Sequence, residues 1–159
     1  MSGTTIDLVA RPAATVASRM RAASLTIVGA AATAIYAAYG DPAPKASQEH
    51  AVPFLVGADF VIALLVFGLP VPWALRSAGR AAGWGLGLSV FGLIAMLVTF
   101  WSGALVIVGG AGVLLGMSAR RAASRAGRSA GLATAAVASS AALLVVSTAL
   151  LVLGNTVLA

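Results

Sequence analysis

Few side chains in this sequence are able to move a proton, hold a metal or attack a carbonyl. The acids are Asp7, Asp41, Glu49 and Asp59, the one histidine is His50, and there is no cysteine. Disulfides, thiolate metal sites and cysteine nucleophiles are therefore excluded. Asp41, Glu49 and His50 share one polar stretch, DPAPKASQEH (41–50), and form a candidate set of contacts for a soluble ligand or an external partner. A cation shared by Glu49 and His50 would need Asp41 or a backbone carbonyl as a third ligand, and a solvated loop is the simpler reading. The sequence contains no HExxH and no GK[ST] phosphate loop. No catalytic residue, metal or cofactor is expected, and the chain is not read as an enzyme.

Asp59 is different in kind, because it stands in the apolar run LVGADFVIALL (55–65). A charge at the centre of a membrane helix costs about 2.5 to 3.5 kcal/mol on insertion scales. The carboxyl must either carry a proton or face neighbouring helices and accept hydrogen bonds there. At a helical rise of 1.5 Å it lies roughly 12 Å past Ala51. Tyr36, Tyr39, Thr99, Asn155 and Thr156 fall at similar depths, which makes them its candidate partners. In the structural version one of them pins span two against span one. In the functional version Asp59 is a proton or cation site open to the outside.

The elements that must position these groups are set by composition. Of 159 residues, 60% are hydrophobic and 9% charged, and the mean hydropathy is +1.03. A soluble domain carries about a quarter charged residues, so the solvent for most of this chain is lipid. Runs of about 20 apolar residues mark spanning helices. The sequence predicts an all-α, polytopic membrane helix bundle with spans near 22–40, 51–75, 83–101, 103–119 and 129–156, after a short cytoplasmic segment 1–21. Pro70 and Pro72 are expected to kink or end span two, and Ser102–Gly103 to form a tight turn.

The net charge of +6 and pI of about 11.5 raise the question of nucleic acid. Charge placement answers it. Arg11, Arg19 and Arg21 precede span one, Arg76 and Arg80 separate spans two and three, and Arg120, Arg121, Arg125 and Arg128 separate spans four and five. With the N-terminus inside, every arginine falls in a cytoplasmic segment, and the C-terminus is outside. No aromatic residue interleaves RRAASRAGR, so bases have no stacking platform. Anionic lipid headgroups are the expected neighbours of Arg120, Arg121, Arg125 and Arg128. Trp73, Trp84 and Trp101 fall at membrane edges. Arginine in place of lysine and abundant alanine point to a GC-rich bacterial genome, hence a bacterial plasma membrane.

Two alternatives accompany this topology. Span four is short and holds Gly109, Gly110 and Gly112, as a re-entrant segment would, and span one has the look of a cleavable leader. Small residues at steps of four give stripes for close helix packing: Ala22, Thr26, Ala30, Ala34 and Ala38 in span one; Gly83 and Gly87 in span three; Gly112 and Gly116 in span four; Ala130, Thr134, Ala138 and Ala142 in span five. They serve either packing within the bundle or a membrane-protein partner or second copy. Ser139, Ser140, Ser147 and Thr148 are expected to bond to carbonyls of their own helix. The function expected is an accessory or interaction subunit, with a transport or proton-permeation element built on Asp59 as the alternative.

Overall fold

A computed structural model of the chain describes residues 16–39, 46–99 and 102–157, apart from the side chains at 46–49, 155 and 157. The described residues contain no strand. They form α1 (Val16–Tyr39), α2 (Ala46–Gly68), a short α3 (Pro70–Ala74), α4 (Ala78–Thr99), α5 (Ala104–Arg125) and α6 (Gly131–Val157). Five helices are long and apolar enough to cross a membrane, with α2 and α3 acting as one span from His50 to Ala74.

Local chemistry sets the breaks. Pro70 and Pro72 have no N–H, so the carbonyls of Val66 and Gly68 lose their helical donors and the chain bends at Leu69. Helical bonding resumes across the bend, from Leu69 N to Leu65 O (3.1 Å) and from Trp73 N to Leu69 O (3.4 Å). At the far end of α5, Gly127 takes φ +63°. Arg128 N then reaches Ala123 O (3.0 Å) and Gly127 N reaches Ser124 O (3.2 Å), the paired bonds of a Schellman stop that glycine makes without strain.

The segment expected to be the weakest is the centre of the bundle. α5 is a continuous helix of 22 residues rather than a re-entrant segment, and α1, α2, α4 and α6 all pack on it. Its glycines explain the position. Gly109 lies under Leu144, Gly110 under Thr26, Gly112 under Ser140 and Gly116 under Val137. Each lets a neighbouring helix approach where a side chain would hold it off. α5 also runs through Arg120, Arg121 and Arg125, which belong to its last turns and not to a connecting link. Likewise α1 starts at Val16, six residues before the expected boundary.

Burial is inverted relative to a water-soluble domain. The buried positions are dominated by alanine and glycine together with Thr26, Ser89, Ser118, Ser140 and Ser147, while Phe54, Phe91, Ile94 and Leu97 stand on the surface, Leu97 at 81% exposure. Such a surface is stable only in lipid, where apolar side chains lose nothing by facing outward and small residues allow close contact within. In α1 the expected stripe is the buried one, through Thr26, Ala30, Ala34 and Ala38. In α6 it is not. Thr134, Ala138 and Ala142 face outward, and Ala133, Ala136, Ser140, Leu143 and Ser147 face in. The α6 core face thus alternates steps of three and four, and it includes a leucine that a search for small residues passes over.

Close pairs fix the register. Thr26 meets Gly110, Val106 meets Gly29 and Ala30 meets Gly103, so α1 is antiparallel to α5. Gly85 meets Gly112 and Gly116, and Gly92 meets Val108, so α4 is antiparallel to α5 as well. Gly85 also meets Ala136 and Gly92 meets Leu143, so α4 and α6 run parallel. Asp59 meets Gly103, while Ala63 clusters with Ile107 and Val71 with Leu115, so α2 and α3 run parallel to α5. This alternation collects the described arginines, Arg19, Arg21, Arg76, Arg80, Arg120, Arg121, Arg125 and Arg128, at one end of the bundle. Asp59, Ser102 and Gly103 lie toward the other.

Candidate functional site

α5 begins without a cap of its own. Gly103 occupies the N-cap position and no side chain caps the helix from there. The adjacent Ser102 is committed elsewhere, its Oγ donating to Thr99 O at 3.0 Å. At the same level in α2, Asp59 is turned inward and is only 6% exposed. Its carboxyl accepts a hydrogen bond from the Gly103 backbone N–H. The acid in the apolar run therefore supplies, from another helix, the acceptor that the head of α5 lacks. Anionic groups are favoured at that position by the helix dipole, by about 0.3 to 1 kcal/mol and more when partly buried.

Gly103 is the residue that makes this contact geometrically available. Its Cα hydrogen faces Asp59 Oδ2 and the backbone of Ala30, so closely that a Cβ would stand 2.6 Å from Ala30 O and 2.7 Å from Ala30 Cα. Three helices, α1, α2 and α5, meet at this one glycine. One feature of the site is unresolved by the protein itself: Oδ2 is buried and has no hydrogen-bond partner.

The site lies below the ends of its walls. Ala30 is level with Gly103, and α1 continues nine residues to Tyr39, about 14 Å at 1.5 Å per residue. Asp59 is nine residues from His50 on α2, likewise about 14 Å by the same rise. Gly103, at the head of α5, is thus recessed below the ends of α1 and α2. Backbone donors at such depth need protein acceptors, since lipid offers none.

The other candidates distribute as follows. Thr99 Oγ1 donates to Ala95 O at 2.9 Å and Thr156 Oγ1 to Val152 O at 2.9 Å, each a bond within its own helix. Tyr36 and Tyr39 are 38% and 51% exposed near the end of α1. His50 is exposed in α2. Asp41, the Glu49 side chain and the Asn155 side chain lie outside the described residues, as does Trp101. Arg120, Arg121 and Arg125 line a shallow depression of about 440 Å³ with Met117 and Ser124, and Arg128 borders a smaller cleft between the ends of α4, α5 and α6. Gly103 was not among the sequence candidates. The sequence offered Ser102 as the capping residue by type, and only the structure shows its hydroxyl committed to Thr99 O.

A second polar contact lies in the core. Ser89 Oγ bonds Gly85 O at 2.7 Å and shares a hydrogen bond with Ser140 Oγ, linking α4 to α6. Ser140 thus departs from the expected bond to its own helix, whereas Ser139, Ser147 and Thr148 follow it.

On the surface, α4 carries an open groove of about 590 Å³ lined by Arg80, Gly83, Trp84, Gly87, Leu88 and Phe91. A Cβ on Gly83 or Gly87 would meet nothing within 4 Å. This glycine pair takes no part in packing among the described residues. Trp84 stands edge-on to Trp73 with centroids 5.8 Å apart, and the Arg80 guanidinium lies 4.8 Å over the Trp73 ring. The arrangement fixes one rim of the groove. Compared with known protein families, characterised proteins and solved structures, the chain matches none.

Proposed function

We propose that the protein is an interaction subunit of the bacterial plasma membrane, which docks a transmembrane helix of a partner protein against α4. The observation that carries this reading is the outward-facing Gly83–Gly87 pair. Helices associate in lipid through close backbone approach, and glycines four apart provide it. Here the pair is left unused by the chain's own helices, while Gly85, Gly92, Gly109, Gly112 and Gly116 are all used internally. Trp84 and Phe91 wall the same groove with large apolar surface, and Arg80 sits at its arginine-rich end. That end is read as cytoplasmic, which puts the N-terminus inside and the C-terminus outside, with anionic lipid headgroups around Arg120, Arg121, Arg125 and Arg128.

The test is substitution of Gly83 and Gly87 by leucine. Both sites are open, so the fold should be retained, as judged by helicity and monodispersity in mild detergent. A membrane protein that co-purifies stoichiometrically with the parent should be lost from the variants. Retention of that partner by both variants would remove α4 as the docking face, and self-association abolished by them would replace the partner with a second copy.

A further inference from the structure

Asp59 and the head of α5 carry an inference independent of the α4 groove. We propose that the Asp59 carboxyl and the Gly103 N–H form a proton-binding site within the bundle, loaded and unloaded from the end opposite the arginines.

Opposing influences act on this one carboxyl. The Gly103 N–H and the α5 dipole stabilise negative charge at the group. Against them, Asp59 is only 6% exposed, and among the described residues Oδ2 has no donor. An ionised oxygen without a partner in apolar surroundings is expensive. A proton removes the charge in one step and needs a single acceptor. The Ala30 carbonyl lies against the same side of Gly103 as Oδ2. Neither form is satisfied on every count, which is the condition for reversible loading.

A metal ion fits poorly. It would lie at the positive end of α5, and Ca²⁺ or Mg²⁺ requires about six oxygen ligands or more. Among the described residues no group of His, Asp or Glu is assembled to hold one. Nor does a fixed counter-ion stand nearby among the described residues. On α1 the titratable groups toward this end are Tyr36 and Tyr39, and on α2 His50. α5 has none before Arg120, and Arg80 on α4 lies at the opposite end. α6 carries no ionisable side chain among its described residues. The proton is assigned to that end because the head of α5 lies about 14 Å short of the end of α1.

The experiment exploits the chain's three aspartates, Asp7, Asp41 and Asp59. The full-length Asp7→Asn/Asp41→Asn variant, labelled with ¹³C at aspartate Cγ and reconstituted in lipid, leaves one aspartate carboxyl resonance. Titrated from about pH 4 to 9, that resonance should move reversibly between the ionised and neutral positions. Adding Na⁺, K⁺ or Ca²⁺ at fixed pH should leave it in place. A resonance that stays fixed over the whole range would overturn the proposal and leave Asp59 a static cap of α5. Movement on adding a metal at constant pH would overturn it in favour of a cation site.

Discussion

Gly103→Ala is the most informative single perturbation of the bundle. The added Cβ would meet Ala30 O at 2.6 Å and Ala30 Cα at 2.7 Å. Both are backbone atoms of α1 and neither can rotate aside. Restoring an ordinary contact of about 3.4 Å or more requires α1 and α5 to part by roughly 0.7 Å, and overpacking of this kind typically costs about 1 to 3 kcal/mol. The same Cβ is directed at Asp59 Oδ2, so the carboxyl must move and its bond from the Gly103 N–H is strained. A hydrogen bond to a charged group contributes about 1.5 to 3 kcal/mol. Ala in place of Gly returns roughly 0.5 to 1 kcal/mol through reduced backbone entropy of the unfolded chain. The expected net loss is about 2 to 5 kcal/mol, read from equilibrium unfolding in mixed micelles. Gly83→Ala is the control, since nothing lies within 4 Å of its Cβ, and it should be neutral or slightly stabilising. The two contributions separate in an Asp59→Ala background, where the hydrogen-bond part is already gone and the penalty of Gly103→Ala should shrink by that amount. If Gly103→Ala unfolds with the parent protein, or its penalty is unchanged without Asp59, the junction of α1, α2 and α5 described above is wrong.

Two further outcomes are expected. In a double-mutant cycle on Ser89→Ala and Ser140→Ala, the coupling should be about 0.6 to 2 kcal/mol, the range for hydrogen bonds between membrane helices. Additive losses would mean that the two hydroxyls do not share the bond. For topology, a single cysteine at Ser47 should react with an impermeant thiol reagent in intact cells, and one at Ser124 only after lysis; equal labelling of both would refute the inside placement of the arginines.

The sequence by itself determined the class and the span count. Apolar runs of spanning length, arginine-only links and two prolines after Gly68 are local features, and local features survive any packing. The buried stripe of α1 was legible for the same reason, because Thr26, Ala30, Ala34 and Ala38 repeat at the helical step. What remained undetermined was which face of α4, α5 and α6 turns inward. In water a hydrophobic face identifies the core, but in lipid every face is apolar, so periodicity loses its direction. Gly83–Gly87 and Gly112–Gly116 look alike in sequence, yet the first pair faces outward and the second lies under Val137 and Ser140. The same degeneracy made α5 look like the weakest span when its glycines mark it as the one all the others touch. Asp59 shows the division most sharply. The sequence required an acid in an apolar run to turn inward, and it listed side-chain hydroxyls and an amide as partners. Only the tertiary structure brought it to a backbone N–H, because the uncapped head of α5 lies 44 residues away in the chain and meets α2 only when the helices pack in register.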